Sequence, residues 1–236
     1  MKILYPDCIN TTTTDSEDTD YPVENLSDNH PQKIWRAATD VLTATLSIVT
    51  STTSVSGLCI AGTNAVSGTV TIKDSTEVTT YETHNLSGTW GRFFVKFNFT
   101  YTENLHIIVE LTAATTVYAG ILRCGTLIDL EDPQYGMKQQ RQDYSIKKEL
   151  SNGGLNIINR NMPRQYDLSF ISVHANYDAL DNLFLANGSF PLAILISDNL
   201  NLDDQYSGFF HIIDPPSGTY DYITHTGCSI TLKEAV

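Results

Sequence analysis

Ala119-Gly120-Ile121-Leu122-Arg123-Cys124-Gly125-Thr126-Leu127-Ile128-Asp129-Leu130 opens a stretch, running to Ser172, around which the chain is organised. The run is apolar enough for a strand, is interrupted at Gly125, and leads into a polar segment with Gly136 near its start. Tyr144 to Leu150 and Leu155 to Asn159 then flank Ser151-Asn152-Gly153-Gly154. Asn-Gly and Gly-Gly steps supply the positive φ angles of a tight turn, so this segment predicts a hairpin. Tyr166 to Val173 alternates apolar and polar residues as a half-buried strand does. The residues before this stretch read as one β-domain, and those after it as the completion of a second.

Upstream, strands are expected at Lys2 to Leu4, Val41 to Val49, Ser56 to Ala61, Gly68 to Lys73, Gly91 to Phe97, Leu105 to Leu111 and Thr116 to Arg123. Their close spacing, with turn residues between, predicts a sandwich rather than alternating strands and helices. Downstream, Leu180, Leu183, Phe184 and Leu185 recur at helical spacing between Asn176 and Asn187. Asp178 and Asp181 near its start complement the helix dipole, and Asn187-Gly188 supplies a stop. Its apolar face is expected to cover strands at Phe190 to Ser197 and Gly208 to Asp214. Pro215-Pro216-Ser217-Gly218 predicts a turn, with Tyr220 to His225 and Cys228 to Leu232 as a closing hairpin. The expected fold is therefore mainly β: a jelly-roll β-sandwich over residues 1–122, then a smaller β-rich domain over 123–236 with one short helix at about 176–187.

The net charge of −13 argues against unspecific binding to nucleic acid or anionic lipid, which needs concentrated positive surface. No apolar run approaches the roughly 18 to 20 residues of a membrane helix, so a soluble chain without membrane insertion is expected. Met1-Lys2-Ile3-Leu4-Tyr5-Pro6-Asp7 is too soon interrupted for a secretory signal. The positive charge is segregated: Arg123, Lys138, Arg141, Lys147, Lys148, Arg160 and Arg164 lie in the central stretch, whereas Gln165 to Leu232 holds acids but neither Lys nor Arg. Such segregation fits a solvated basic loop, an anionic ligand, or one half of a complementary contact between subunits.

Residue chemistry points away from catalysis. Cys8, Cys59, Cys124 and Cys228 are widely spaced and predict neither a zinc site nor a disulfide framework. His30, His84, His106, His174, His211 and His225 are dispersed, with no metal-binding pair among them. The acidic run Asp15-Ser16-Glu17-Asp18-Thr19-Asp20 has carboxylates suited to Ca²⁺ but lacks EF-hand spacing, and reads as a solvated loop. Asp203-Asp204 and Glu131-Asp132 fall in polar turns, and no phosphate-cradling loop or nucleophile elbow is present. A non-enzyme without metal or cofactor is expected.

Asn25-Leu26, Pro31, Ile34-Trp35-Arg36 and Tyr118-Ala119-Gly120-Ile121-Leu122-Arg123-Cys124-Gly125 together resemble segments of tailed-bacteriophage virion structural proteins. The Tyr135-Gly136 step, the Ser-Asn-Gly-Gly hairpin, the Arg164 to Phe170 strand and Phe190-Pro191-Leu192 after a short helix extend that resemblance over most of the chain. It implies a galactose-binding-like jelly roll joined to a β-rich assembly domain, in a minor tail, tail-tip or adsorption-apparatus protein. The implied partners are other virion proteins and copies of the same chain, and the implied location is the virion, after synthesis in the host cytoplasm. Lys138, Arg141, Lys147, Lys148, Arg160 and Arg164 are the basic residues expected at a subunit interface. The alternative is an adhesion module contacting host-surface glycans, with Trp35, Trp90, Tyr81 and Tyr101 as rings able to stack on sugar faces. Trp35 and Trp90 adjoin strand starts, where a core position competes with that role.

Overall fold

The structure is a computed structural model that describes all residues except 31, 52–53, 89–90, 134–136, 150–154, 161, 189, 198–205, 221–223 and 236. The chain begins with β1 (Lys2–Asp7), β2 (Ile9–Thr14), a 3-10 turn (Val23–Ser27), β3 (Trp35–Arg36), β4 (Thr43–Thr50), β5 (Val55–Ala61) and β6 (Ser67–Asp74). There follow β7 (Thr80–Ser87), β8 (Arg92–Tyr101), β9 (Leu105–Thr112), β10 (Tyr118–Ala119), β11 (Ile121–Asp129), β12 (Lys138–Arg141), β13 (Ile146–Glu149) and β14 (Leu155–Ile158). The last elements are β15 (Arg164–Val173), α1 (His174–Asn187), β16 (Leu192–Leu195), β17 (Ser207–Ile212), β18 (Ser217–Thr219) and β19 (His225–Glu234). The protein is mainly β, the strand pairs whose register is defined run antiparallel, and α1 is its one α-helix among the described residues.

Two compact units emerge. The first comprises Met1–Asp132 with Phe190–Phe209, the second Pro133–Ser189 with Phe210–Val236. The sequence-based boundary at 122/123 thus falls inside β11, and residues 190–209 belong with the first unit.

In the first unit, β2-β4-β9-β6-β7 form one sheet and β16-β1-β11-β5-β8 run side by side in another. Between β4 and β11 the chain repeatedly crosses from sheet to sheet, as a jelly-roll sandwich requires. The period-two pattern explains the packing. In β4 the alternate residues Ala44, Leu46, Ile48 and Thr50 are buried, and Ile107, Val109 and Leu111 of β9 join them. They meet Leu58 and Ile60 of β5, Phe93, Val95 and Phe97 of β8, and Leu122 and Cys124 of β11 in one core. Each such Leu, Ile or Phe contributes roughly 1.5–3 kcal/mol by leaving water. The far side of β11 is occupied too: Arg123 donates to Leu26 O (3.1 Å), Ser27 O (3.1 Å) and Asn29 Oδ1 (2.8 Å), tying the 3-10 turn to the sheet.

In the second unit, β12-β15-β19 are consecutive neighbours, β17 from Phe210 onward and β18 also pair with β19, and β13 and β14 form a separate two-stranded hairpin. Tyr166, Leu168 and Phe170 of β15 and Cys228, Ile230 and Leu232 of β19 are the alternating buried positions. Tyr166 meets Phe210 edge-on, with ring centroids 5.7 Å apart.

Several local expectations change. β11 runs unbroken through Gly125, because that glycine permits a close approach of β1 instead of ending the strand. Thr116 to Arg123 is split at Gly120, so that β10 pairs with β3 and β11 with β1 and β5. β2, just before the acidic run, and β7 are strands unread in the sequence, and β7 forms an edge strand. Helix α1 starts at His174, directly after β15, so neither Asp178 nor Asp181 lies in its first turn. It packs on β15 and β19 rather than on the strands after Phe190. Its stop is as expected: Gly188, at φ 60°, donates its N–H to Phe184 O at 2.8 Å. Ser217-Gly218 lies in β18 rather than in a turn, and β18 pairs with β19, which contains the expected Cys228 to Leu232 strand. Part of the other arm and the Ser151-Asn152-Gly153-Gly154 turn lie outside the described residues.

A Cβ at Gly125 would stand 2.2 Å from Pro6 O, a backbone atom with no room to retreat inside the sheet. Gly125→Ala is expected to destabilise the protein by about 2 kcal/mol or more in denaturant unfolding. Gly188→Ala, where nothing lies within 4 Å, should cost only the left-handed backbone, about 1 kcal/mol.

Candidate functional site

Two surfaces gather the chemistry: an acidic aromatic end of the first unit, and the exposed hairpin of the second. At the first, the β6–β7 connection is built on Asp74, whose Oδ1 accepts the N–H groups of Val78 (2.9 Å) and Thr79 (3.2 Å). Those bonds hold the Asp74 carboxyl below its ordinary range, although desolvation, the largest single influence, pushes the other way. Glu77 adopts φ 62°, a left-handed conformation that a non-glycine residue seldom takes, and leaves Val78 83% exposed. Three residues on, Tyr81 stacks on Tyr101 at 5.2 Å between centroids and 17° between planes, and donates its hydroxyl to Glu103 Oε1 at 2.7 Å. One ring face lies against Tyr101, and the residue as a whole remains 38% exposed.

Beneath this stack lies Glu82, only 7% exposed. Its carboxylate accepts Asn98 N–H and Nδ2 (both 2.9 Å) and Tyr101 Oη–H (2.6 Å), with His84 Nε2 at 2.8 Å. Desolvation pushes its pKa up, but these donors together outweigh it and hold the carboxyl below its ordinary value. The same interaction, with burial, pushes the Tyr101 hydroxyl far upward. Glu82 is thus a structural post that fixes the orientation of Tyr101 and, through it, Tyr81. Sequence reading missed it because its donors come from β8, some sixteen to nineteen residues away.

The rings expected at a sugar site separate. Tyr81 and Tyr101 come together. Trp35 is fully buried in the core cluster and offers no face to a ligand, because β3 pairs with β10 and turns its indole inward. Trp90 lies outside the described residues.

The six basic residues do not form one patch. Arg164 is 3% exposed and holds Glu234 through Nε (3.0 Å) and Nη2 (2.7 Å), with its guanidinium over Phe210. Such a pair, desolvated and fully bonded, organises the core of the second unit and is closed to partners. Lys138 and Arg141 are exposed on β12, Lys138 lying 3.9 Å from Asp167 beside a polar groove of about 400 Å³ that also includes Ser169, Asp214 and Ser229. Arg160 is exposed and its backbone N–H reaches Ser145 Oγ at 3.2 Å. Lys147 and Lys148 stand on β13 next to one another, and therefore on opposite faces of the hairpin.

That hairpin is the second surface. Its register pairs Ile146 with Ile158, Lys147 with Ile157, Lys148 with Asn156 and Glu149 with Leu155. Every one of these residues is exposed, and the four apolar side chains range from 44% to 58%. Its base is held by Tyr144, whose ring lies 4.6 Å under Lys233 Nζ, and by Lys147 Nζ on Asp143 at 2.8 Å.

The acidic run near the amino terminus is spent on the fold: Asp15 accepts Thr45 N–H, Glu17 accepts Val23 N–H, and Asp18 pairs with Arg36. Among the described residues no group of three His, Cys, Asp or Glu side chains stands ready to hold a metal ion.

Glu82 predicts an acid limb of stability. A carboxyl whose folded pKa is depressed stabilises the fold fully above its unfolded value, about 4.5, and loses that contribution as pH falls through the folded value. Glu82→Gln should cost about 1–3 kcal/mol at neutral pH. It should also flatten the decline of stability below pH 4.5 in denaturant titrations.

No protein-family model and no curated protein sequence matches the chain. Among solved structures it is similar to reduced XRCC1 bound to DNA pol beta catalytic domain, with TM-score 0.42 and 11% identity over 51% of this chain and 99% of that one. It is similar to chitosan-binding module 1 of a chitosanase/glucanase from Paenibacillus sp. IK-5, with TM-score 0.41 and 14% identity over 49% and 94%. It is also similar to CBM32-1 from a family 31 glycoside hydrolase from Clostridium perfringens, with TM-score 0.37 and 10% identity over 52% and 99%. Likeness of this size decides neither ligand nor partner.

Proposed function

We propose that this chain is a non-enzymatic structural component of a tailed-phage particle, in a minor tail or tail-tip position, that joins its neighbours through protein surfaces. The observation that carries the assembly role is the β13–β14 hairpin, with Ile146, Leu155, Ile157 and Ile158 all exposed. An isolated two-stranded hairpin is marginal in water, and apolar side chains on both of its faces make a covering partner favourable by about 25 cal/mol for each Å² removed from water. Lys148 and the exposed Lys138 and Arg141 add the positive field that steers an acidic partner into register. The phage particle itself is supported by the sequence resemblance.

A second reading, a glycan-binding adhesion module, is favoured by one observation: the partly exposed ring of Tyr81, held flat by Tyr101 and bonded to the Glu103 carboxylate. A ring so fixed stacks on a sugar face at little entropic cost, while carboxylates accept from sugar hydroxyls.

Lys147→Glu with Lys148→Glu alters exposed side chains and breaks one exposed ion pair, Lys147–Asp143, so the variant should keep the native unfolding free energy to within about 1 kcal/mol and enter particles poorly when assembled virions are assayed by immunoblot. Normal incorporation would overturn the assembly role of the hairpin. For the second reading, a polysaccharide array should light up with the native chain and go dark with Tyr81→Ala. A blank array with the native chain removes that reading.

A further inference from the structure

We infer that the partner covering the hairpin is a second copy of this chain, engaged head to tail: the hairpin of one copy seats on the Asp74–Glu103 end of the next. The inference rests on the assembly role just proposed and names its partner.

The two faces of the hairpin differ. One carries Lys147, Ile157, Glu149 and Leu155, so that its lysine is accompanied by a carboxylate and is already bonded to Asp143. The other carries Ile146, Ile158, Lys148 and Asn156, two branched apolar side chains and one cation with no acid among them. That face needs a surface with apolar groups at its centre and carboxylates around them.

The Asp74–Glu103 end answers this requirement. Val78 stands out at 83% exposure with the Tyr81 ring two strand positions beyond the turn; Asp74 and Glu103 bond to these two residues, and Glu77, next to Val78, has its Oε2 3.3 Å from His106 Nδ1 with the carboxylate still more than half exposed. Glu77 is kept at φ 62° in the turn that projects Val78, backbone strain of a kind that persists where a surface is shaped for use. Neither Val78 nor Tyr81 is needed by the core, which is filled by the inward residues of β6 and β9.

Charge over the whole chain points the same way. Residues 138–164 hold six Lys and Arg against two Asp and Glu, while the remaining positions hold eight against twenty-five. A basic segment on an otherwise acidic chain is complementary to other copies of that chain. Because the two mating surfaces are different, the contact is heterologous. Repeated copies therefore close into a ring when the rotation between neighbours permits, and extend otherwise.

The test uses the full chain and sedimentation velocity at low and high salt. The native protein should self-associate with increasing concentration, and salt should weaken the association. Lys148→Glu alone and Glu77→Lys with Glu103→Lys alone should each weaken it by roughly tenfold or more. Mixing the two variants should restore it, since an acidic hairpin then meets a basic end and the converse. Ile158→Asn should weaken association while Ile157→Asn, on the opposite face, leaves it near native. A monomeric native protein, loss with the hairpin variants but none with the Glu77/Glu103 variant, or a mixture that fails to reassociate would each overturn the inference. If the chain is monomeric yet Lys147→Glu with Lys148→Glu still blocks particle incorporation, the assembly role stands and the partner is another protein.

Discussion

Burial of β5 on both faces is the constraint from which the first unit follows. Val55 to Ile60 are all buried, Leu58 and Ile60 facing the opposing sheet and Cys59 lying on the reverse side beside Arg123 and Phe94. A strand with no solvated face demands neighbours on either side and cover above and below. β11 and β8 supply the first, the β4-β9-β6 sheet covers one face, and β11 in turn holds the 3-10 turn through Arg123. Once β11 is central, β1 has to lie against it. That pairing is close enough at Gly125 to exclude any side chain, so small residues here are conditions of the topology and not local breaks.

Rigidity at the core is what allows the periphery to carry binding groups. Glu82 sits at the boundary: desolvated by its position, yet supplied with donors by Asn98, Tyr101 and His84, it converts the edge between β7 and β8 into a fixed mount for the Tyr81–Tyr101 stack. Arg164 plays the corresponding part in the second unit, where its pairing with Glu234 and its place over Phe210 join β15, β17 and β19. In both, a charged group that a sequence scan assigns to the surface is consumed by the architecture. Among the described residues that remain exposed, those of the hairpin and of the Val78 turn combine apolar side chains with charged neighbours.

How much was legible depends on the range of the interactions involved. Strands such as β4, β9 and β15 could be read because alternation is a property of neighbours in the chain, and Gly188 could be read as a helix stop because the conformation it adopts is local. The basic residues were recognisable as a cluster in sequence. Their dispersal was not, since whether Lys147 and Lys148 share a face depends on strand geometry, and whether Arg164 is exposed depends on Glu234, seventy positions away. The same distance effect hid Glu82, and it misplaced the partner of α1, which packs on β15 and β19.

Composition and local pattern were sufficient to establish a β protein of strongly acidic character, with a hairpin at its middle and one helix after it, because propensity, periodicity and turn chemistry act over a few residues. The assignment of each charged or aromatic side chain to core, mount or open surface required the assembled fold. Burial and hydrogen-bond partners are set by segments that meet only when sheets close on one another, and no rule of spacing carries that information along the chain.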